Sequence, residues 1–464
     1  MSILKSNRRE FLKDALIGCG GIAALGAFSP LIRYAHAVEG AGEAGVLKDR
    51  YYIFCYFGGG WDILLSLDPR DPTVFTNDGA TVSKTKIMPG YELLTPFVET
   101  PYVDIGHGYV GPFMGDLAAK HADKMAIVRG INMETLSHGS GRKRFLTGKP
   151  ASGVQARGSS ASTWFASQLG QENVIPNLDS GVGTYNVDQP TYASGIKASN
   201  VSDLLRALRP SDPSLPTAVN EQIDMLLAQA ANCSRGLLSP SHQSAEASRL
   251  KAAQMVNSHL DMNFDFLAKN DKMAALRDHY NIANNNGGLS SIEARAAMAA
   301  KAVMQGISRC VSVSLAGGLD THGNDWASAQ GPRQQRGFNA VARLIEDLDG
   351  KEYGNTGKSW LDHTNIVCFS EFSRTSRLNA NTGRDHWLGN ASAVIGADIK
   401  GGQIIGASSD VGMQPMAVNL ATGQVDSGGV VLNPEHIMQT LMNAAGIVGD
   451  PADLRCDPIT ALMK

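Results

Sequence analysis

Three apolar runs fix most of what this chain can fold into, because each has the length of a strand and each breaks abruptly into residues able to do chemistry. DRYYIFCYF (49–57) runs into GGGWD, ISRCVSVSL (307–315) into AGGLDTHGND, and TNIVCF (364–369) into SEF. Aromatic and β-branched content marks them as buried strands. A fourth run, KMAIVRGI (124–131), follows the helix-like GPFMGDLAAKHA. Strand, helix and strand in that order predict a parallel α/β layer. In open parallel sheets ligands bind beyond the carboxyl ends of the strands, and here the polar residues stand at those ends.

Between them, residues 151–300 have a different texture. STWFASQLG, SDLLRALRP, NEQIDMLLAQAANC and a long pattern over 244–280 are helical, several beginning after Ser, Thr or Asn. This stretch reads as a mainly helical insertion or cap. After it, GPRQQRGFNAVARLIEDL is a helix ending near Asp349-Gly350. ASAVIGADIKGGQIIG offers further strands, and NPEHIMQTLMNAAG is a helix with Asn433 as cap, Pro434 in the first turn and Gly446 at the stop.

The N-terminus carries an export signal. NRREFLK is followed by the uncharged ALIGCGGIAALGAF and by AHA at 35–37, the order of a twin-arginine signal and its cleavage site. LIGC also permits acylation at Cys19. Residues 1–37 are then the signal, 38–49 a linker and 50–464 the folded domain. The expected location is the periplasm or beyond, and the expected partner the twin-arginine (Tat) export machinery. Cleavage leaves 36 basic against 42 acidic side chains, which gives no general attraction to nucleic acid. No other run reaches the ~20 apolar residues that span a bilayer. Cys55, Cys310 and Cys368 read as core thiols, and Cys233 and Cys456 as a candidate disulfide.

The candidate site gathers the strand exits. Asp62 follows the first strand, Asp320 and His322 the strand ending in SVSL, and Glu371 the run TNIVCF. Asp385-His386 closes the loop SEFSRTSRLNANTGRDHW. Carboxylates and imidazoles converging from separate strands are the ingredients of a divalent-cation site, and a cation relieves their mutual repulsion. ETLSHGSGRKRFLTG (134–148) leaves the sheet at the same end. It brings Ser137 and His138 as nucleophile candidates, His138 alternatively as a ligand or general acid/base, and Arg142 as a holder of an oxyanion. Arg374 and Arg384 are candidates for neutralising an anionic substrate.

The order strand–Asp, nucleophile loop, Asp/His, acid and final His resembles the alkaline phosphatase and sulfatase superfamily. HGSGRKRFLTG resembles the sulfatase signature, with His138 at the nucleophile position, Arg142 at its arginine and Leu146-Thr147-Gly148 at its close. GGGWD, SHGSGRKRFLTG, LDTHGND, SEFSRTSRLNANTGRDHW and GGQIIGASSD together resemble a large family of twin-arginine-exported bacterial proteins of unknown function within that superfamily. The resemblance implies a three-layer sandwich with a mostly parallel central sheet. One or two divalent ions are expected, and mixed carboxylate and imidazole ligands suit Zn or Mn, or Mg or Ca where the imidazoles are peripheral. The superfamily's two-metal members carry an Asp-His pair where this chain has Glu371-Phe372, which counts against the second ion. The formylglycine-forming Cys of ordinary sulfatases is absent.

Two functions follow as expectations. One is a metal-dependent hydrolase of phosphate or sulfate esters, or of a related small anionic or polysaccharide-linked substrate, with Ser137, His138 or water as nucleophile. The other is a non-catalytic, metal-stabilised binding or assembly protein of the cell envelope.

Overall fold

Tyr51–Phe57 (β1) is buried at every residue, and its side chains divide by parity. Tyr51, Ile53, Cys55 and Phe57 enter one apolar cluster, and Tyr52, Phe54 and Tyr56 enter another. A strand without a polar face needs a layer on each side of its sheet. The remaining strands used below are Met125–Asn132 (β2), Asn177–Ser180 (β3), Ile196–Lys197 (β4), Cys310–Ala316 (β5), Thr364–Phe369 (β6), Ser373–Arg374 (β7), His386–Trp387 (β8), Gly389–Gly396 (β9) and Gln403–Ile405 (β10). Among the described residues one eight-stranded sheet runs in the order β10-β2-β9-β6-β1-β5-β3-β4. Its pairings are parallel except that β9 runs against both of its neighbours. The computed structural model describes residues 46–153, 155–209, 215–234 and 236–464. The expected signal in 1–37, Cys19 and most of the linker lie outside them.

The helices that matter here are Gly115–His121 (α1), His138–Thr147 (α2), Ala161–Leu169 (α3), Thr217–Ala231 (α4), Pro240–Asn257 (α5), Asp271–Tyr280 (α6), Ile292–Met304 (α7), Gly331–Asp349 (α8) and Pro434–Ala444 (α9). One face of the sheet is covered by α1, α7 and α8, the other by α2, α3 and α9. The result is a three-layer α/β sandwich with a mostly parallel centre. Alanine makes α7 both a strong helix and a thin one, so Ala294, Ala296, Ala297, Ala299, Ala300 and Ala302 are all fully buried. Asn433 caps α9 reciprocally with His436, and Pro434 occupies its first turn.

Residues 151–300 depart from the expected helical cap. They supply β3 and β4 to the main sheet and α7 to its covering layer, while α4, α5 and α6 account for the helical texture. β3 was illegible because its sequence, NLDS, is short and polar. Asn177 and Asp179 are nonetheless buried; Asn177 donates to Ala193 O, and Asp179 accepts from the Val182 and Gly183 N–H groups. Cys55, Cys310 and Cys368 are core thiols as expected, but Cys456 is a free thiol, so the Cys233–Cys456 disulfide is not formed. Among the described residues no helix is long and apolar enough to cross a membrane.

Candidate metal centre

β1, β5 and β6 lie side by side and end together, so the chains leaving them meet. Gly59 makes a close passage. Its φ of +112° suits glycine, and a Cβ there would lie 2.6 Å from Leu319 N and 2.7 Å from Asp320 N. The loop from β5 thus folds against the exit of β1, which presents Asp320 and His322. β6 ends at Ser370-Glu371. The loop after it returns as a short antiparallel ladder, β7 with β8, in which His386 stands opposite Arg374. His138 arrives from the first residue of α2, whose Gly141 passes so near Glu371 O that a Cβ would sit 2.3 Å from it.

Asp320 is the hub. Its Oδ1 lies 3.3 Å from His138 Nε2, 3.0 Å from His322 Nε2 and 3.1 Å from His386 Nε2. His322 Nε2 and His386 Nε2 are 3.1 Å apart. Each imidazole is held from behind by an oxygen on its other nitrogen. His138 Nδ1 is 2.7 Å from Glu371 Oε1, His322 Nδ1 is 2.8 Å from Asp385 Oδ1, and His386 Nδ1 donates to Leu136 O at 2.7 Å. A carbonyl only accepts, so His386 carries its proton on Nδ1, and the two carboxylates favour the same tautomer on their partners. All three Nε2 lone pairs therefore face the Asp320 carboxylate. Four such donors this close repel unless protons or a cation sit among them. Ligand atoms on a tetrahedral ion with bonds of about 2.0–2.1 Å stand about 3.3 Å apart, close to the spacing of each imidazole from Asp320 and of His322 from His386; the ligand atoms of His138, Asp320 and His386 all lie within 4.8 Å of one another.

The electrostatics agree. Burial raises the Asp320 carboxyl, but the hydrogen bond and charge of Arg374, with the imidazoles of His386 and His138 beside it, outweigh it and hold the group well below the usual carboxylate range. Burial likewise raises Glu371, and His138 with the surrounding N–H and O–H donors more than offsets it. His322 keeps Asp385 low. The Glu371 carboxylate raises His138, so in the bare protein a proton competes for that imidazole. Ligating histidines oriented by carboxylates or carbonyls are the usual outer shell of a metal site.

Several expected roles change. Asp62 is not brought into this group: it is fully buried, its Oδ1 accepts from Leu64 N at 3.0 Å, and its Oδ2 accepts from Trp326 Nε1 at 2.7 Å and pairs with Arg384 Nε at 2.8 Å. Glu371 Oε1 and Asp385 Oδ1 stand behind the imidazoles of His138 and His322; Asp385, expected as a ligand or as the group orienting His386, thus meets His322. Arg384, expected to meet substrate, is fully buried and donates to the carbonyls of Thr375, Met88 and Pro89. Arg374 is also buried, spending its donors on Gly60 O, Arg384 O, Gly59 O and Asp320 Oδ1. It acts as the counter-ion of the hub. Ser137 is exposed at the N-cap position of α2 and makes no side-chain capping bond. Arg142 lies one turn along α2 from His138, with its guanidinium 5.9 Å above the Tyr56 ring.

Residues that sequence reasoning missed are of two kinds. Leu136 contributes a backbone carbonyl, which no residue type announces. Phe372 is fully buried, with its ring 4.8 Å from that of His138 and 4.3 Å from that of His386. It walls the place where a second imidazole would sit, in line with the Glu-Phe departure noted above.

Glu371→Gln keeps the shape but weakens the hold on His138, and metal affinity is expected to fall about 10–100-fold. Competitive titration against a chromogenic chelator reads it, and an unchanged affinity would mean that Glu371 does not set the ring.

Among curated proteins none matches the chain. Several solved structures overlap it, two of them at 10% identity each. One is a protein in the alkaline phosphatase superfamily from Vibrio parahaemolyticus, with a TM-score of 0.37 over 89% of this chain and 70% of that one. The other is Ps i-CgsB in complex with k-i-k-neocarrahexaose, with a TM-score of 0.33 over 88% and 75%. Scores this low carry no argument about the site, which stands on its own side chains. One family pattern does match, over residues 49–425, a span that holds every strand exit and all four converging donors, and the chain belongs to that family, the proteins of unknown function called DUF1501.

Proposed function

We propose that this protein is an exported hydrolase of phosphate or sulfate esters built round one divalent cation held by His138, Asp320, His322 and His386. The observation that carries the reading is the convergence of three oriented Nε2 atoms on one carboxylate oxygen. Three of these side chains are open to solvent, with His138 at 39%, His322 at 44% and Asp320 at 47% exposure, so a substrate can reach them. A site serving structure alone is ordinarily closed. Export rests on the twin-arginine pattern and cleavage site in residues 1–37.

Three imidazoles and one carboxylate suit Zn or Mn better than Mg or Ca, which prefer an all-oxygen shell. Phe372 favours one ion over two. Bound there, the cation polarises an ester oxygen and supplies a nucleophilic water near neutral pH. Arg142 projects from the same helix as His138 and stabilises charge building on the transferring group. Ser137, exposed beside His138, is the protein's own nucleophile candidate.

The second reading, a non-catalytic envelope protein stabilised by its metal, draws on the withdrawal of Arg374 and Arg384 into the interior. One assay separates the two. Full-length protein matured by its host and loaded with Zn or Mn is tested on aryl phosphate and aryl sulfate esters. Turnover that chelation abolishes and metal restores supports the hydrolase. Protein that retains one equivalent of metal and hydrolyses none of these esters supports the second reading.

A further inference from the structure

Beside the metal centre the same sheet edge carries cations that no acid answers. Arg295, in the opening turns of α7, donates from Nη1 to Ser314 O at 3.3 Å, while its Nε is buried without a partner. Arg333, in the first turn of α8, donates to Gly318 O. Arg142 comes from the opposite face of the sheet, and its Nε too is buried and unpartnered. Its charge is felt by both Tyr56 on β1 and Asp179 on β3, the strands flanking β5. The three guanidiniums thus border the stretch from Ser314 to Gly318, two residues short of the hub Asp320.

None of the three forms an ion pair among the described residues. The acids at hand are already engaged. Glu293 on α7 is taken by both nitrogens of a fork from Arg336, at 2.7 and 2.8 Å. Asp179 gives its oxygens to the Val182 and Gly183 N–H groups. The cations also oppose the helix dipoles. α2 and α7 begin at this edge, and the start of a helix favours negative charge, whereas α8 continues from the π-helical turn Trp326–Gln330. The buried, unpartnered Nε atoms of Arg295 and Arg142 are a standing cost that an anionic ligand would remove, and the exposed Arg333 on Gly318 adds its charge to the same edge.

We infer that this edge is a subsite for a second tetrahedral oxyanion, so that the substrate carries at least two sulfate or phosphate groups, one at the metal and one on Arg295 and Arg333. The inference rests on the hydrolase reading for the first group but not for the second. The metal takes the group to be cleaved. The arginine edge holds a neighbouring group that is not cleaved and fixes the direction in which the substrate lies.

Calorimetric titration of the full mature chain, metal-loaded and chelator-treated, tests it. The probes are tripolyphosphate and a disulfated disaccharide, each against its monoanion, orthophosphate or sulfate. At least one polyanion is expected to bind about tenfold or more tightly than its monoanion. Arg295→Gln and Arg333→Gln should each weaken that polyanion about tenfold, in chelator-treated protein as well, and leave the monoanion's affinity for the loaded protein unchanged. Arg295→Lys, which keeps the charge, should recover part of the loss, and matching thermal melts exclude misfolding. The inference is overturned if neither polyanion binds better than its monoanion, or if the Arg295→Gln, Arg333→Gln double variant binds both as the parent does. Loss of metal-dependent turnover with the arginine-dependent binding intact would instead defeat the hydrolase reading alone.

Discussion

Asp320→Ala is expected to strip the protein of its divalent cation, lowering metal affinity more than about a hundredfold, beyond the loss typical of an outer-shell change. Three imidazoles meet at Oδ1 of this residue, and Arg374 is aimed at the same atom. Without the carboxylate, the three Nε2 lone pairs face a buried guanidinium, and the net charge of the pocket turns against a cation. Any ester hydrolysis falls with the metal and is not restored by excess Zn or Mn. Asp320→Asn, which keeps one oxygen and removes the charge, should fall between the variant and the parent. Metal content after dialysis and turnover on aryl esters read both. An Asp320→Ala protein that keeps its metal would place the cation elsewhere.

Asp62→Ala has a large effect of a different kind. Asp62 and Arg384 are both fully buried, 2.8 Å apart, and Trp326 Nε1 also donates to the same carboxylate oxygen. Removing one member of a buried pair leaves an uncompensated charge and costs about 3–5 kcal/mol. Arg384 keeps its three carbonyl acceptors, which soften the loss but do not replace the charge. Denaturant unfolding should shift by that amount, while metal bound per folded chain stays the same. Loss of metal with unchanged stability would restore Asp62 to the role its position after β1 first suggested.

That contrast shows where the sequence was legible. β1, β5 and β6 could be read because they are buried on both faces and their apolar runs are nearly unbroken. His138, Asp320, His322 and His386 could be read because each stands at a strand exit or in the loop beyond one. The division of labour among the acids could not. Asp62, Glu371 and Asp385 all occupy plausible positions, and only the third dimension shows that one meets an arginine 322 residues away and the others the backs of imidazoles. Arg374 and Arg384 misled for a related reason: arginines in a polar loop look available, yet the β7–β8 ladder folds that loop over them. The antiparallel course of β9 and the polar strand β3 depend on pairing partners far away in sequence, so local pattern gives no hint of them.

The central claim, three imidazoles and one carboxylate on one ion, is tested most directly by X-ray absorption at the metal edge of the purified, fully loaded protein. The expected result is about one ion per chain with a first shell of three nitrogens at about 2.0–2.1 Å, one carboxylate oxygen, and the outer-ring scattering of imidazole. A first shell of oxygens alone, or folded protein that takes up no divalent metal, would contradict it.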